Sequence, residues 1–443
     1  MEGWVDHYLL SGDPAEPCLH LGEPVNRQHL RRLVDGRQQQ LAAVGLTAGG
    51  TVALRVPPSL DYVTTLLAAW RLGAQVALLD HRLTPAETER ALHRLRPQYL
   101  IGPESVEPLT DGQPATSAHA LVQLSSGSTG PSKVIARTSA DLVRELACYQ
   151  RLAHYPGRGE RIVLLASTVH VLGLVGGLLH SLHAGVELVV PERLTPPGIL
   201  AAVRAKEAPT TLLGVPFYAE LLARMAQPPP TPQLVRMIVA GELVRPSVPG
   251  AFAARYGVPL GTMYGMTEIG VIATDLTGEL HPSVRPVAGM HARVIDGELH
   301  LAQPESPYLG TTDPGRWSDG LLHTRDAADL DPATGLITVR GRQDSQVSIG
   351  GLKVDLTEVE QALSALPGVR EAVVVFADGA IEAYAAAEGT PDLLRERLAG
   401  ELAGYKLPRR LGLLPALPRT ATGKVLRDVT ALRAHAAGAL RAS

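Results

Sequence analysis

The sequence is poor in aromatic residues, in cysteine and in net charge, and each shortage excludes something. Aromatic residues make up 4% of the 443 residues, with three Phe, so aliphatic side chains must form most of the core. The two cysteines, Cys18 and Cys148, lie far apart and show no metal-ligand spacing, which favours a reduced cytosolic protein. The net charge of −3 leaves no basic excess for binding nucleic acid or anionic lipid.

Long hydrophobic runs are also missing. The longest, residues 171–179, is too short to span a bilayer. The first residues have neither the basic start nor the apolar centre of a signal peptide. We therefore expect a cytoplasmic protein that binds neither membranes nor nucleic acid. Its length and its 45% hydrophobic content allow two or three domains with sizeable cores.

Strand-like and helix-like segments alternate from early in the chain. Residues 51–56 and 75–79 have the composition of buried strands, and residues 59–72 between them place apolar side chains at helical spacing. A second unit of this kind covers residues 161–190, and Ser139 is predicted to cap a helix between the two units. This alternation of strands and helices predicts an α/β fold in which helices cover β-sheets.

The pattern changes in the last quarter of the chain. A helix is predicted at residues 356–366, with strands at 371–376 and 381–387. These short elements share about 100 residues, the usual size of a small domain. The sequence therefore predicts a large N-terminal α/β domain at residues 1–343 and a small C-terminal α+β domain at residues 344–443.

The clearest chemical signal is the sequence LSSGSTGPSK at residues 124–133. Glycines let backbone N–H groups approach an anion, hydroxyls donate further hydrogen bonds, and Lys133 adds a positive charge, so this composition is typical of a phosphate-binding loop. It is not a Walker A motif, because Gly127 and Gly130 are three residues apart and Lys133 precedes a predicted strand. A flexible hairpin turn is the alternative interpretation of this segment alone.

Four further motifs follow in order along the chain. They are MYGMTEIG at 263–270, LHTRD at 322–326, RGRQD at 340–344 with VSIGG at 347–351, and PRTATGK at 418–424. Together with the loop at 124–133, they resemble the superfamily of acid-activating, AMP-forming enzymes, which includes acyl-CoA synthetases, adenylation domains of peptide synthetases and firefly-type luciferases. The resemblance covers nearly the whole chain. It implies that ATP, with Mg²⁺, and a carboxylic acid react to give an acyl-adenylate and pyrophosphate.

The resemblance also implies roles for single residues in phosphate chemistry. Glu268 would bind Mg²⁺, and Thr267 would contact the α-phosphate. Lys424 would reach from the small domain to the carboxylate and the α-phosphate, where charge builds up during the reaction. The β- and γ-phosphates would be held by Ser125, Ser126, Gly127, Ser128, Thr129, Gly130 and Lys133.

The nucleoside would be held by a second group of residues. By the same resemblance, Tyr264 would stack on adenine, and the carboxylate of Asp326 would accept hydrogen bonds from both ribose hydroxyls. The remaining members of this group are Gly241, Glu242, Gly265 and Arg342.

A mobile C-terminal domain is a further implication. Asp344 matches the hinge about which that domain rotates in this superfamily. One orientation would present Lys424 for adenylation, and the other would bring Gly350 and Gly351 to a thiol channel. The thiol would be coenzyme A or the phosphopantetheine of a free-standing carrier protein, and the sequence does not decide between them. We expect no fused carrier domain. The alternatives are an exposed surface lysine at Lys424 and a linker aspartate at Asp344.

The segment at residues 167–174 indicates the class of acid. Domains that activate α-amino acids typically begin this segment with an aspartate that holds the α-ammonium group, whereas here it carries His170 and no acid. Because a buried ammonium without a counter-charge is costly, we expect an aryl or acyl acid. The run at residues 128–138 is also similar to that of aryl-acid-activating enzymes. The expected pocket residues are His170, Gly173, Leu174, Gly214, Met263 and Gly265.

Several alternatives stay open at this point. His170 is either a catalytic pocket residue or a packed histidine at a helix start, and the glycines of residues 172–179 either wall an apolar slot or allow close helix–sheet packing. Arg325 replaces the glycine of the Thr-Gly-Asp found in many members, and either adds a contact or faces water. Nitrite activation, as in diazotisation of an aryl amine, and oxidation of the adenylate are alternative uses of AMP activation. A nucleotide-binding non-enzyme and an unrelated phosphate-binding scaffold are the remaining alternatives.

Overall fold

The structure is a computed structural model in which helices pack against both faces of the β-sheets. None of the described helices is both long enough and apolar enough to cross a lipid bilayer. The residues that the structure describes are 3–81, 83, 85–124, 133–310, 315–342, 346–349, 352–402, 404–420 and 423–442.

The first 151 residues supply a parallel-rich sheet and its helices. Among the described residues this sheet has six strands, in the order β6-β5-β3-β4-β7-β8, while β1 and β2 join a second sheet. The elements are β1 (Pro17–Leu21), β2 (Glu23–Asn26), α1 (Arg27–Ala43), β3 (Thr51–Leu54), α2 (Leu60–Arg71), β4 (Gln75–Leu78), α3 (Pro85–Leu95), β5 (Tyr99–Ile101), β6 (Val106–Pro108), β7 (His119–Leu124), β8 (Val134–Thr138) and α4 (Ser139–Arg151).

The second sheet continues through the middle of the chain. It has nine described strands, in the order β15-β14-β13-β12-β11-β9-β10-β1-β2. A π-helix at Leu172–Leu179 precedes α5. The other elements are β9 (Arg161–Leu165), α5 (His180–Ala184), β10 (Glu187–Val189), α6 (Pro196–Arg204), β11 (Thr210–Gly214), α7 (Pro216–Ala223), β12 (Leu234–Ala240), α8 (Ser247–Tyr256), β13 (Leu260–Met266), β14 (Gly270–Asp275) and β15 (Arg285–Pro286).

A smaller antiparallel sheet follows the nine-stranded one. Its described strands have the order β16-β17-β19-β18, with β20 also paired to β19. Trp317 lies in this sheet and donates its indole N–H to the Gln303 carbonyl at 2.7 Å. The strands are β16 (Ala292–Ile295), β17 (Glu298–Ala302), β18 (Trp317–Ser318), β19 (Leu321–Leu330) and β20 (Ile337–Arg342).

The C-terminal domain has separate sheets of its own. A described three-stranded sheet, β23-β24-β25, carries helices on both faces, because Val374 packs with α9 and α10 while its neighbour Val373 packs with α11. The predicted boundary between residues 343 and 344 lies outside the described residues and stays a prediction. The elements are β21 (Gln346–Ile349), β22 (Leu352–Asp355), α9 (Leu356–Ala365), β23 (Val369–Ala377), β24 (Ala380–Ala387), α10 (Pro391–Glu401), β25 (Arg410–Leu413) and α11 (Val429–Ala442).

The main core is aliphatic and lies between the six- and nine-stranded sheets. Ile162 on β9 points into this core, whereas its neighbour Val163 points into a second core formed with α6, α7 and α8. A strand covered on both faces in this way is typical of parallel sheets in α/β proteins. Aromatic contacts in the main core include Trp4 and Trp70, whose ring centroids are 5.1 Å apart. The α/β fold and the aliphatic core predicted from composition are confirmed.

Helix starts follow the capping rules, with one shift from the sequence prediction. The N-cap of α4 is Thr138, not Ser139: the Thr138 hydroxyl accepts the Asp141 N–H, and the Asp141 carboxylate accepts the Thr138 N–H. Both residues have hydroxyls, but Asp141 stands three residues after Thr138, as a capping box requires. Thr390 is the N-cap of α10, and its hydroxyl accepts the Leu393 N–H.

A buried histidine directly follows the π-helix. The Nε2–H of His180 donates to the Pro156 carbonyl at 2.8 Å, and its ring lies 4.7 Å from that of Tyr155 and 5.7 Å from that of Tyr149. Burial in these surroundings lowers the pKa of His180 to about 4. The folded protein therefore holds this imidazole neutral, as a donor to one carbonyl.

This pKa predicts acid sensitivity of the fold. Below pH 6.5, the usual pKa of histidine, the unfolded chain binds a proton that folded His180 does not bind until about pH 4. We expect the free energy of unfolding to fall as the pH drops through this window, by roughly 3 kcal/mol at most, since each pKa unit is worth about 1.4 kcal/mol. Urea unfolding of the wild type and His180→Gln between pH 7 and pH 4 measures the difference.

Glutamine keeps a donor for the Pro156 carbonyl but has no titrating group, so His180→Gln should lose less stability on acidification than the wild type. The exposed His29 offers a matched control, and His29→Gln should keep the wild-type slope. An unchanged slope in His180→Gln would show that another group causes the acid sensitivity.

Candidate active site

Four parallel strands of the nine-stranded sheet end at one edge, and predicted pocket residues lie there. The strand register pairs Leu165 on β9 with Gly214 on β11, and Gly214 with Val239 on β12. β13 lies parallel to β12 and carries Met263. His170 follows the end of β9. In α/β sheets, ligands bind in the crevice at the carboxyl ends of the strands, so the fold positions these residues at a suitable edge.

The turn that carries His170 is held from two sides. The buried Tyr62 hydroxyl donates to the Thr168 carbonyl at 2.9 Å, and the Gln123 amide donates to the Val169 carbonyl. His170 itself is half-buried, with its Nε2 atom buried, just before the π-helix begins. The structure therefore gives His170 a fixed place at the strand edge, and its catalytic role stays a prediction.

The glycines of the π-helix lie against protein atoms. A Cβ on Gly173 would lie 2.3 Å from the Ser167 carbonyl oxygen, and one on Gly177 would lie 2.9 Å from the Leu164 side chain. Leu174 between them is fully buried in the main core. These contacts favour the packing alternative for the glycines, and the pocket roles of Gly173 and Leu174 stay predictions.

The predicted adenine and ribose residues are in direct contact. Tyr264 on β13 donates its hydroxyl hydrogen to the Asp326 carboxylate on β19, across 62 residues of sequence. Asp326 is 6% exposed, its N–H donates to the Thr324 hydroxyl at 3.0 Å, and its register partner on β20 is Arg342. The fold thus brings together the backbone positions of three residues that the motifs placed on one nucleoside.

The predicted magnesium residue contacts the predicted phosphate lysine through a residue that the sequence did not reveal. Tyr308 donates to Glu268 Oε1 at 2.9 Å, and Lys133 Nζ lies 5.5 Å from the centre of the Tyr308 ring. Backbone pairing explains this placement, because Ile135 of β8 forms a bridge with Tyr308. No motif surrounds Tyr308, so no sequence pattern could have identified it.

A buried ion pair supports the turn that carries Glu268. Arg137 on β8 donates to Glu145 Oε2 at 2.6 Å, and Glu145 Oε1 accepts the Val271 N–H at 3.1 Å. The carboxylate approaches so closely that a Cβ on Gly270 would lie 2.3 Å from its carbon, and Gly270 has φ +91°. Glycine is therefore required at the end of this motif. Arg137 lies in the run at residues 128–138 that is similar to aryl-acid-activating enzymes, but its side chain contacts Glu145 and the Asp141 carbonyl.

Arg325 occupies a backbone conformation that suits glycine. Its φ is +60°, in the left-handed region, which glycine adopts without strain. The Arg325 N–H donates to Glu298 Oε1 at 2.7 Å, and its guanidinium donates to the Gly315 carbonyl at 2.6 Å and lies 3.6 Å from Glu298 Oε2. Of the two alternatives, Arg325 adds contacts, and these offset the strain of its backbone.

The turn that carries Lys424 is closed by local hydrogen bonds. The Thr420 N–H donates to the Lys424 carbonyl at 2.8 Å, and Arg419 donates to the Gly423 carbonyl at 2.5 Å. The Arg419 guanidinium also lies 4.6 Å from the ring centre of Phe217 on α7, which follows Gly214. The turn therefore contacts the N-terminal domain close to the strand edge described above.

Of the remaining predicted site residues, some lie among the described residues and the others lie outside them. Gly241, with φ +94°, and Glu242 are exposed directly after β12. Gly265 and Thr267 are half-buried around the end of β13. Outside the described residues lie Ser125, Ser126, Gly127, Ser128, Thr129, Gly130, Asp344, Gly350 and Gly351.

The conformation of Arg325 predicts an unusual order of stabilities. Arg325→Gly removes both the side-chain contacts and the backbone strain, whereas Arg325→Ala removes the contacts and keeps the strain. We expect Arg325→Ala to be less stable than Arg325→Gly by about 1 kcal/mol, the cost of the left-handed region for a residue with a Cβ. Denaturant unfolding of both variants measures this difference. Equal stabilities would contradict the assigned conformation.

Comparison with known families agrees with this geometry. Residues 17–119 and 104–310 match the family described as AMP-binding enzyme, and residues 358–424 match the AMP-binding enzyme C-terminal domain. Among solved structures, ATP-bound MatB from Rhodopseudomonas palustris superposes with a TM-score of 0.83 at 19% identity, covering 98% of this chain and 99% of that one. The structure of the anthranilate CoA ligase AuaEII with anthranoyl-AMP superposes with a TM-score of 0.82 at 20% identity. The match covers 99% of this chain and 97% of that one. At these identities the structures confirm the fold.

Related sequences extend the match. A probable non-canonical nonribosomal peptide synthetase, CymA of Salinispora arenicola, is 30% identical over 87% of this chain, which spans 5% of CymA. Benzoate–CoA ligase of Thauera aromatica is 30% identical over 70% of this chain and 65% of its own length. The p-hydroxybenzoic acid–AMP ligase FadD22 of Mycobacterium tuberculosis is 26% identical over 86% of this chain and 61% of its own length. The chain thus spans less than two thirds of each of these relatives.

The family matches cover well over half of the chain, and the motifs that suggested the resemblance lie within or between them. The family predicted from the sequence is therefore confirmed: this protein belongs to the AMP-binding enzyme family.

Proposed function

We propose that this protein activates an aryl or acyl carboxylic acid with ATP and then transfers the acyl group to a thiol. In the first step, a carboxylate oxygen attacks the α-phosphorus of ATP, and the bond from that phosphorus to the departing pyrophosphate breaks. In the second step, a thiolate attacks the acyl carbon, and AMP leaves. The first step builds negative charge on phosphoryl oxygens, and the second builds it on the acyl oxygen and then on the departing AMP. Positioned cations and N–H donors stabilise such charge.

The main observation that supports this proposal is the hydrogen bond between Tyr264 and Asp326. It joins the proposed adenine residue on the nine-stranded sheet to the proposed ribose residue on the antiparallel sheet. A buried carboxylate suits two vicinal hydroxyls, because hydrogen bonds to a charged acceptor are stronger than neutral ones. This contact supports a nucleoside site between the two sheets.

The second contact supports a place for the triphosphate. Tyr308 orients the Glu268 carboxylate and lies beside Lys133, so an anionic metal ligand and a cation face one region. Carboxylate oxygen is a suitable ligand for Mg²⁺, which would neutralise phosphate charge when bound. We assign Glu268 to the metal and Lys133 to the phosphates, together with Thr267 at the α-phosphate.

Two observations support an aryl or acyl acid. Residues 167–174 carry no carboxylate that would pair with an α-ammonium group, and His170 lies at the strand edge instead. Two of the similar proteins, benzoate–CoA ligase and p-hydroxybenzoic acid–AMP ligase, act by name on aryl acids. The thiol is coenzyme A or a carrier-bound phosphopantetheine, and similarity to both CoA ligases and a fatty acid–[acyl-carrier-protein] ligase is consistent with either.

Lys424 provides the first test of the mechanism. We expect Lys424→Ala to lose adenylation by several orders of magnitude, since each 1.36 kcal/mol of lost transition-state stabilisation is tenfold in rate. Transfer of a synthetic acyl-AMP to the thiol should be retained, because that step does not use the lysine. ATP–pyrophosphate exchange measures the first half-reaction, and release of AMP from the acyl-AMP measures the second.

Lys206 offers a matched control for this variant. It pairs with Glu187 at 2.6 Å and precedes β11, at the opposite edge of the sheet from Gly214, so Lys206→Ala should leave both half-reactions intact. Survival of both half-reactions in Lys424→Ala would show that the assigned role is wrong.

The class of acid has its own experiment. A pyrophosphate-exchange screen of the wild type should give signals with benzoates, cinnamates or fatty acids and none with glycine or alanine. A best signal with an α-amino acid would overturn the substrate class. Exchange with an aryl acid but no thioester, on either coenzyme A or carrier protein, would overturn the second step and favour another use of the adenylate, such as nitrite activation.

A further inference from the structure

Two histidines and a glutamate gather on the antiparallel sheet, outside the proposed active site. Glu298 and His300 are two residues apart on β17, so their side chains lie on one face of the strand. His323 on β19 is the register partner of His300. The neighbouring residues Leu299 and Leu301 point into the apolar core, which places the cluster on the other face.

The side chains of this cluster converge. The ring centroids of His300 and His323 are 4.5 Å apart, and His300 Nε2 lies 3.9 Å from Glu298 Oε2. One potential ligand atom from each residue lies within 4.8 Å of the others, and this is the one such group of three among the described residues. Glu298 and His300 are both 7% exposed. Small shifts of the side chains would bring three ligand atoms around one ion.

Outer hydrogen bonds already orient two of the three groups. The Arg325 N–H holds Glu298 Oε1 at 2.7 Å, which directs Oε2 towards His300. The ring Nε2 of His323 lies 3.0 Å from the Ser318 hydroxyl. A ligating histidine is usually fixed by a hydrogen bond at its second nitrogen, and Ser318 supplies one.

His300 has unused bonding capacity. Its Nδ1 atom is buried and has no hydrogen-bond partner within the described part of the chain. Buried polar nitrogens are nearly always paired, so a buried imidazole that no hydrogen bond commits to one tautomer requires an explanation. Coordination of a metal ion supplies one, because it uses a ring lone pair and fixes the tautomer.

One charge in the cluster opposes a cation. The Arg325 guanidinium lies 3.6 Å from Glu298 Oε2, the oxygen that faces His300. Its side chain is 37% exposed and also donates to the Gly315 carbonyl, so it is anchored at the edge of the cluster and not at its centre. A metal ion must therefore bind against this positive charge, which weakens the site in a way that can be tested.

We propose that Glu298, His300 and His323 bind a Zn²⁺-type transition-metal ion, with water as the fourth ligand. Two imidazole nitrogens and one carboxylate oxygen are a common ligand set for tetrahedral zinc. The ion would join β17 to β19 at His323, three residues before Asp326. It would therefore stabilise the strand that carries the residue proposed to bind the ribose. This proposal is independent of the acid that the enzyme activates.

Titration of the chelator-treated full-length protein with Zn²⁺ tests the site directly. We expect one ion per chain, and expect Co²⁺ to give the intense visible absorption of a tetrahedral complex. His323→Ala and His300→Ala should each weaken binding at least about tenfold, a loss that is known even for changes to outer partners of a metal ligand. His29→Ala, which changes an exposed histidine, should bind as the wild type does.

Arg325→Gly provides a second variant that gains binding instead of losing it. It removes the opposing charge and keeps the backbone N–H that holds Glu298, so Zn²⁺ should bind roughly tenfold more tightly. Absence of stoichiometric binding in both the wild type and Arg325→Gly would overturn the site, whether or not the histidine variants fold. Binding that survives in folded His300→Ala and His323→Ala would overturn it equally.

Discussion

The buried ion pair between Arg137 and Glu145 holds together the parts of the fold that form the site. Arg137 belongs to the six-stranded sheet, and Glu145, on α4, also accepts the Val271 N–H from the nine-stranded sheet. Removing one partner of such a pair leaves an uncompensated buried charge, at a cost of about 3–5 kcal/mol. The predicted phosphate loop leads into β8, and Glu268 stands just before β14. This ion pair, together with the Tyr308 contacts, therefore helps to set the distance between these two segments.

The proposed site lies where three sheets meet. Tyr308 pairs with β8 through its backbone, contacts Lys133 with its ring and orients Glu268 with its hydroxyl. Tyr264 and Asp326 make the corresponding link between the nine-stranded sheet and the antiparallel sheet. Each sheet contributes one part of the proposed nucleotide site, so the proposed chemistry requires all three sheets to be packed. This explains why the motifs are short and widely spaced along the chain.

The sequence predicts those features of the structure that depend on residues close together in the chain. Alternation of strands and helices predicts the α/β fold, and the departure from Thr-Gly-Asp marks Arg325, whose φ is +60°, as an unusual residue. Long-range partners were missed, because nothing near Tyr308 or Glu145 in sequence indicates which strand lies opposite. Apolar composition likewise could not separate a π-helix at Leu172–Leu179 from an α-helix. Ser125 to Gly130 and Asp344 lie outside the described residues, and their roles stay predictions.

The placement of the three tryptophans has an optical consequence. Trp4 and Trp70 pack against each other in the main core, and Trp317 lies in the antiparallel sheet. These are the three tryptophans of the sequence, and all of them precede the C-terminal domain. Intrinsic tryptophan fluorescence therefore reports the N-terminal domain alone. Rotation or separate melting of the C-terminal domain would be visible in this signal only through its effect on its neighbour. A tryptophan introduced in place of the partly exposed Phe376 on β23 would give that domain its own reporter.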